Sequence, residues 1–340
     1  MRLVPSAEQD RFAAVLHDLL ATADLPAVAE SWARGDGGPG RAVWSRLADA
    51  GVAGLAVPQR WGGTGADPAD LVIAAEELGH HAVPGPVTET LAAVPALLIA
   101  LGDDRLCDKW LPELAAGRVV ATLAAPPWLP YAADAHAADL VLLAEGDSVR
   151  AARTGPAHTS MDYTRRLFEV FPAGGALAEG PAAANAVARA LDLGVLAAAA
   201  QLLGAGCALL DAAVAHARSR VQFGRPIGRF QAVQHRLADV AVGLEFARPL
   251  LYAAAVALAD GDGPREHSAA GTAARDVSAA KVACGTAAHR AARAALQVHG
   301  AIGYTREHGL GRWLTKVRVL TLAWGTPAQH RARVMAELTR

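Results

Sequence analysis

Three side chains suited to holding a nucleotide stand close together in the stretch His216 to Leu251. Arg220, Gln222 and Phe223 precede Gly224-Arg225-Pro226-Ile227-Gly228, where two glycines and a proline stop a helix and turn the chain. A guanidinium, an amide and an aromatic ring on one turn offer a hydrogen-bonding fork for phosphate and a flat face for a base. The same residues also suit a plain helical hairpin whose Phe fills the core and whose Arg is solvated.

Two further groups bear chemistry. Gln297 and Gly300 close a long helical stretch in Gln297-Val298-His299-Gly300-Ala301-Ile302-Gly303, where glycine can end the helix and admit a phosphate to backbone N–H groups. The same residues also suit a simple glycine cap with His308 on the surface. Asp192 stands immediately before the apolar run Leu193 to Leu210, two residues from Gly194. The 12 His are scattered and show no metal-ligand spacing, so no metal site is expected.

The elements that must position these groups are mostly helical. After the turn, Phe230, Val233, Leu237, Val240 and Leu244 recur at alternating spacings of three and four, one stripe of a helix that needs a partner. Four long helices are expected toward the C-terminus, at about 185–219, after Gly228, at about 267–299 and at about 328–339. Pro249 predicts a kink or break in the second, and Gly261-Asp262-Gly263-Pro264 a connection to the third. Leu193 to Leu210 is long enough to approach a membrane span, yet its Ala content, Gln201, Gly204 and Gly206 point to a buried bundle helix.

Residues 1–117 also read as helices, with Phe12, Val15, Leu16, Leu19 and Leu20 on one face and a break at Gly35 to Gly40. Between Arg118 and about Gly180 the texture changes to short apolar runs, Val119 to Ala124, Leu140 to Ala144 and Leu167 to Phe171, separated by Pro, Gly and Asp. The expected organisation is a helical domain over 1–117, a small β domain over 118–182 and a four-helix bundle over 183–340.

Composition narrows the partners. With 32 basic and 33 acidic residues and a net charge of −1, nothing favours nucleic acid or an acidic surface. The three cysteines, Cys107, Cys207 and Cys284, are odd in number and far apart, as in a reducing compartment. No apolar signal core follows Met1, so a cytoplasmic location and no membrane are expected.

The string Arg-x-Gln-Phe-Gly-x-Pro-Ile-x-x-Phe-Gln-x-x-Gln-His-x-Leu-Ala-Asp, from Arg220 to Asp239, resembles the C-terminal domain of the acyl-CoA dehydrogenase family. Gln297 to His308 resembles it too. Trp44 to Pro58, Trp61-Gly62-Gly63-Thr64-Gly65, Glu76-Glu77-Leu78-Gly79 and Trp110 to Gly117 are similar to its N-terminal helical domain. The resemblance implies FAD as cofactor and an acyl-CoA or related acyl thioester as substrate. It also implies assembly into a homo- or hetero-oligomer with another acyl-CoA dehydrogenase-like subunit. The chemistry implied is α-proton removal by a carboxylate, with hydride passing from the β-carbon to the flavin.

By the same resemblance Arg220, Gln222, Phe223, Gln297, Gly300 and Thr326 contact the cofactor, Gln297 and Gly300 at the pyrophosphate of a flavin held mainly by the adjacent subunit. The middle domain departs from the family. The Thr-Glu-Pro position reads Ala124-Ala125-Pro126-Pro127-Trp128, and no Gly-Ser-Asp or Trp-x-Thr follows. The catalytic Glu-Gly-Thr reads Trp324-Gly325-Thr326, and the alternative site for the carboxylate, on the first bundle helix, falls on Gly194. Asp192 lies two residues away and should face elsewhere, since a helix turns about 200° over two residues. Two functions follow: α,β-dehydrogenation of an acyl thioester as one subunit of a heteromer, or a catalytically silent subunit that completes a partner's FAD site.

Overall fold

A computed structural model describes residues 4–260, 268–305 and 308–339. Six helices come first: α1 (Ala7–Ala21), α2 (Leu25–Arg34), α3 (Gly38–Asp49), α4 (Pro68–His80), α5 (Val94–Leu101) and α6 (Asp104–Ala115). Ser6 caps α1 through a reciprocal pair with Gln9, and Asp24 caps α2. Leu16 and Leu20 carry α1 into the core, whereas Val15, expected on the same face, is 58% exposed. Helix resumes at Gly38, inside the glycine cluster, because Gly40 lets α3 pass over the Trp32 ring, where a Cβ would come within 2.4 Å.

A five-stranded sheet follows, made of β1 (Ala121–Ala124), β2 (Ala132–Ala133), β3 (Leu140–Glu145), β4 (Ser148–His158) and β5 (Leu167–Glu179), in the order β1-β3-β4-β5-β2. β1 and β3 pair in parallel, and the remaining pairs are antiparallel. The apolar runs expected as strands are β1, β3 and the start of β5. β4 went unforeseen because its Arg, Thr and Pro residues are largely solvent-facing.

The C-terminal bundle is built from α7 (Pro181–Ser219), α8 (Gln231–Asp260) and α9 (Ser268–His299), closed by α10 (Gly311–Leu322) and α11 (Pro327–Leu338). A two-residue hairpin, β6 (Val221–Gln222) and β7 (Arg225–Pro226), separates α7 from α8. The middle of α7 is buried from Leu193 to Gly206. α8 continues as helix through Pro249, so of the expected kink or break the break does not occur. The carbonyl left without a donor belongs to Glu245, whose side chain is 70% exposed, so solvent is at hand to satisfy it. α10 adds a helix to the four expected; the connection Gly261 to Pro264 lies outside the described residues.

α4 crosses α7 with backbones touching. A Cβ on Gly204 would meet the Glu76 carbonyl oxygen at 1.9 Å, and one on Gly79 the Gln201 carbonyl oxygen at 2.2 Å. Only glycine allows that approach. Beside the crossing, Nη1 of Arg248 in α8 donates to both Glu76 oxygens at 2.5 and 2.7 Å. Burial pushes the Glu76 pKa up while Arg248 pulls it down. The first helical domain and the bundle therefore share one apolar core.

Candidate active site

The residues expected at the cofactor phosphates stand at one end of the bundle. α7 ends at Arg220 in extended backbone, and Phe223 and Gly224 take φ of 51° and 78°, the positive values a tight two-residue hairpin turn needs. Phe223 is thereby held 91% exposed, its ring edge-on to Phe230 at 6.1 Å, while the Arg225 guanidinium covers Phe230 at 4.2 Å. His216 near the end of α7 stacks on His299 at the end of α9, with centroids 4.3 Å apart. This contact brings the ends of the two helices side by side, and with them the Arg220 turn and the exposed Gln297 and Gly300. Gly300 has φ of 63° and nothing within 4 Å of a Cβ position, so the surface beside it is open.

The other half is the loop between α10 and α11. Trp324 has φ of 60°, rare for a bulky residue, and is 1% exposed. Its ring fills the space beside Gly194, whose Cβ would lie 2.3 Å from the Trp324 Cζ3. The buried His330 ring accounts for the loop's shape: Nε2 lies 2.9 Å from the Trp324 carbonyl oxygen and Nδ1 3.1 Å from the Ser278 hydroxyl. Burial lowers the His330 pKa to about 4. Lys281 donates to the carbonyls of Leu320 and Ala323 at 2.8 and 3.0 Å, and burial lowers its pKa to about 7. Thr326 spends its side chain capping α11, paired with Gln329.

Asp192 ion-pairs with Arg333 at 2.6 Å. Burial raises its pKa and Arg333 opposes the rise. Asp192 is thus committed to Arg333, while Gly194 faces Trp324. The space at Trp324 amounts to about 20 Å³, room for a single water, and is lined by Thr88, Glu89, Gln201, Lys316 and Trp324 among others. Glu89 is 3% exposed, its Oε1 has no hydrogen-bond partner, and burial raises its pKa. Sequence reasoning passed over Glu89; the available signal was a lone carboxylate in the apolar run from Ala82 to Leu101.

These residues divide the fit to FAD in two. The phosphate and adenine side fits: Arg220, Gln222, Phe223, Gln297 and Gly300 are exposed, at one end of the bundle and rich in donors. The ring side does not. Ala124 and Ala125 bring no side-chain donor, and Trp128 packs against the loop, 5.4 Å from the His330 ring and 2.5 Å from where a Gly325 Cβ would sit.

Folding also gathers histidines that linear spacing kept apart. His17, Glu77, His80 and His81 form one cluster, and His216, His299 and His308 another, each with ligand atoms within 4.8 Å of one another.

Comparison with known proteins matches the acyl-CoA dehydrogenase N-terminal domain to residues 6–118 and the acyl-CoA dehydrogenase C-terminal domain to residues 184–339. The chain is 31% identical over 344 residues to the acyl-CoA dehydrogenase IpdE2 of Mycobacterium tuberculosis, covering 99% of each. Its fold is that of butyryl-CoA dehydrogenase from Megasphaera elsdenii, with a TM-score of 0.85 at 22% identity and full coverage of both chains. It is also that of a chain in the ChsE4-ChsE5 complex from Mycobacterium tuberculosis, with a TM-score of 0.83 at 23% identity, covering 100% of this chain and 99% of that one. FAD is the cofactor of this group of enzymes. The chain belongs to the acyl-CoA dehydrogenase family.

Proposed function

We propose that this chain is one subunit of a heteromeric, FAD-dependent acyl-CoA dehydrogenase, in which it completes a partner's cofactor site and supplies no catalytic base. The observation that carries this reading is the Trp324 ring packed onto Gly194, which closes both positions where the family resemblance puts a carboxylate. When bound, FAD supplies the hydride acceptor for α,β-dehydrogenation of an acyl-CoA or related thioester.

The residues of this chain have binding roles. Arg220 pairs with a phosphate, a charge-assisted contact of about 1.5–3 kcal/mol. Gln222 and Gln297 offer amides, Gly300 a backbone approach, and Phe223 a face for the adenine. Trp324, held by His330 and Lys281, leaves the pocket no room for an acyl chain.

A second subunit of the same fold has a place to dock. An open groove between α8, α9 and α11 exposes Val242, Phe246 and Met335, is edged by Arg236, Arg290 and Arg293, and runs to Gln297. Phe246 is 75% exposed, unusual for so large an apolar side chain on a subunit that stands alone. A partner in this groove would meet the phosphate half of the site. The chain in the ChsE4-ChsE5 complex shows that this fold occurs in assemblies of two different subunits.

A second reading, dehydrogenation of a small thioester by this chain itself, has the buried Glu89 carboxyl, whose Oε1 has no hydrogen-bond partner, in its favour. Co-expression with a second acyl-CoA dehydrogenase subunit, followed by gel filtration and flavin analysis, separates the two. The heteromeric reading expects FAD only in the mixed complex. A stable homo-oligomer retaining one FAD per chain overturns it.

A further inference from the structure

Far from the phosphate-binding turn in sequence, the last turn of α4 and the middle of α1 put three imidazoles and a carboxylate together. His17 Nδ1 lies 3.1 Å from Glu77 Oε2, His81 Nε2 lies 3.2 Å from His17 Nδ1, and His81 Nε2 lies 3.9 Å from Glu77 Oε2. The point equidistant from three atoms so spaced is about 2.0 Å from each, which is the zinc-to-nitrogen and zinc-to-oxygen distance. Hydrogen bonds alone account poorly for this triangle. His17 Nδ1 carries at most one proton, yet it has a near neighbour on both sides.

His80 supplies the fourth corner. Its Nε2 pairs with Asp211 Oδ2 of α7 at 3.2 Å, which leaves the proton on Nε2 and a lone pair on Nδ1. That Nδ1 is buried and has no hydrogen-bond partner. A carboxylate behind a histidine is the usual means of fixing the tautomer and orientation of a metal ligand. The rings of His17, His80 and His81 lie with centroids 4.7 to 5.2 Å apart, and each of the four residues brings one nitrogen or carboxylate oxygen within 4.8 Å of the other three.

We propose that His17, Glu77, His80 and His81 form a four-ligand site for Zn²⁺, oriented by Asp211, which clamps α1 to the end of α4. Three imidazoles and one carboxylate suit a late first-row divalent ion, whereas Mg²⁺ and Ca²⁺ prefer all-oxygen shells. Four protein ligands make a closed, structural site with no position for substrate. The clamp is independent of the cofactor role, since neither Arg220 nor Gln297 takes part.

The test uses the full chain, free of any affinity tag and stripped with a chelator, titrated calorimetrically with Zn²⁺ and, in parallel, with Mg²⁺. One equivalent of Zn²⁺ should bind, Mg²⁺ should not compete, and His17→Ala should weaken binding by at least about 100-fold. His17 is half exposed, so this variant should fold; circular dichroism checks it. Zn²⁺ should also raise the melting temperature of the wild type but not of His17→Ala. His308→Ala, in the other histidine cluster, should keep the site. Equal affinity and stoichiometry in wild type and His17→Ala, loss of binding in His308→Ala alone, or no binding to the wild type would each overturn the proposal.

Discussion

The Trp324 ring occupies the volume that any side chain on Gly194 would need, with a Cβ there only 2.3 Å from the Trp324 Cζ3. The two residues are therefore coupled. Gly194→Ala should destabilise the chain by about 1–3 kcal/mol by overpacking, and Trp324→Ala by about 3–5 kcal/mol by leaving a cavity. In the double variant the alanine methyl enters the vacated space, so the sum should fall short of additivity by more than 0.5 kcal/mol. Urea unfolding of the four proteins measures this; strict additivity would show that the two side chains do not compete.

A second pair of glycines tests the seam between the helical domains. Gly204→Ala forces a methyl into the Glu76 carbonyl, so a loss of about 1–3 kcal/mol or more is expected. Gly243, in α8, has nothing within 4 Å of a Cβ position. Gly243→Ala should be neutral or stabilising by up to about 1 kcal/mol through helix propensity alone. Thermal melts of the two variants should move in opposite directions.

Much of this architecture was legible in the sequence, for reasons that can be named. Gly204 and Gly206 marked α7 as closely packed, and Gly206 indeed leaves no room beyond Leu244 and Ala288. The turn angle between Asp192 and Gly194 foretold that only one of them could face position 324. α10 was missed because Lys316 interrupts its apolar face, although that ammonium is buried and donates to the Val83 carbonyl at 3.1 Å. The zinc cluster was invisible because His17 is sixty residues from Glu77, and only the packing of α1 on α4 joins them.

Lys281 gives the stability a pH dependence of known sign. Its folded pKa of about 7 lies below the unfolded value of about 10.4, so between these the unfolded chain holds the extra proton and stability rises with pH. Cys207 and Cys284 work the other way, since burial raises both to about 12 and stability falls once unfolded thiols ionise above about pH 8.5. The rise from Lys281 should therefore be cleanest between about pH 7 and 8.5. Urea unfolding across that window should show it in the wild type and a flatter profile in Lys281→Met. A wild-type stability that falls over this range would contradict the assignment.

Arg220 tests the phosphate half of the site. In the mixed complex, Arg220→Ala should weaken FAD retention by about 10- to 100-fold, the equivalent of one charge-assisted contact, with the helical content unchanged. Flavin content across an FAD titration, read against circular dichroism, is the check. Unchanged occupancy would remove Arg220 from the cofactor site.

The central claim is that this chain lends contacts to a flavin without supplying the base, and anaerobic addition of acyl-CoA to the protein in the presence of FAD tests it most directly. The flavin visible band should stay unbleached with the chain alone and bleach with the mixed complex, to the same extent when this chain carries Asp192→Asn or Glu89→Gln. Bleaching by the chain alone, abolished by either substitution, would contradict the account.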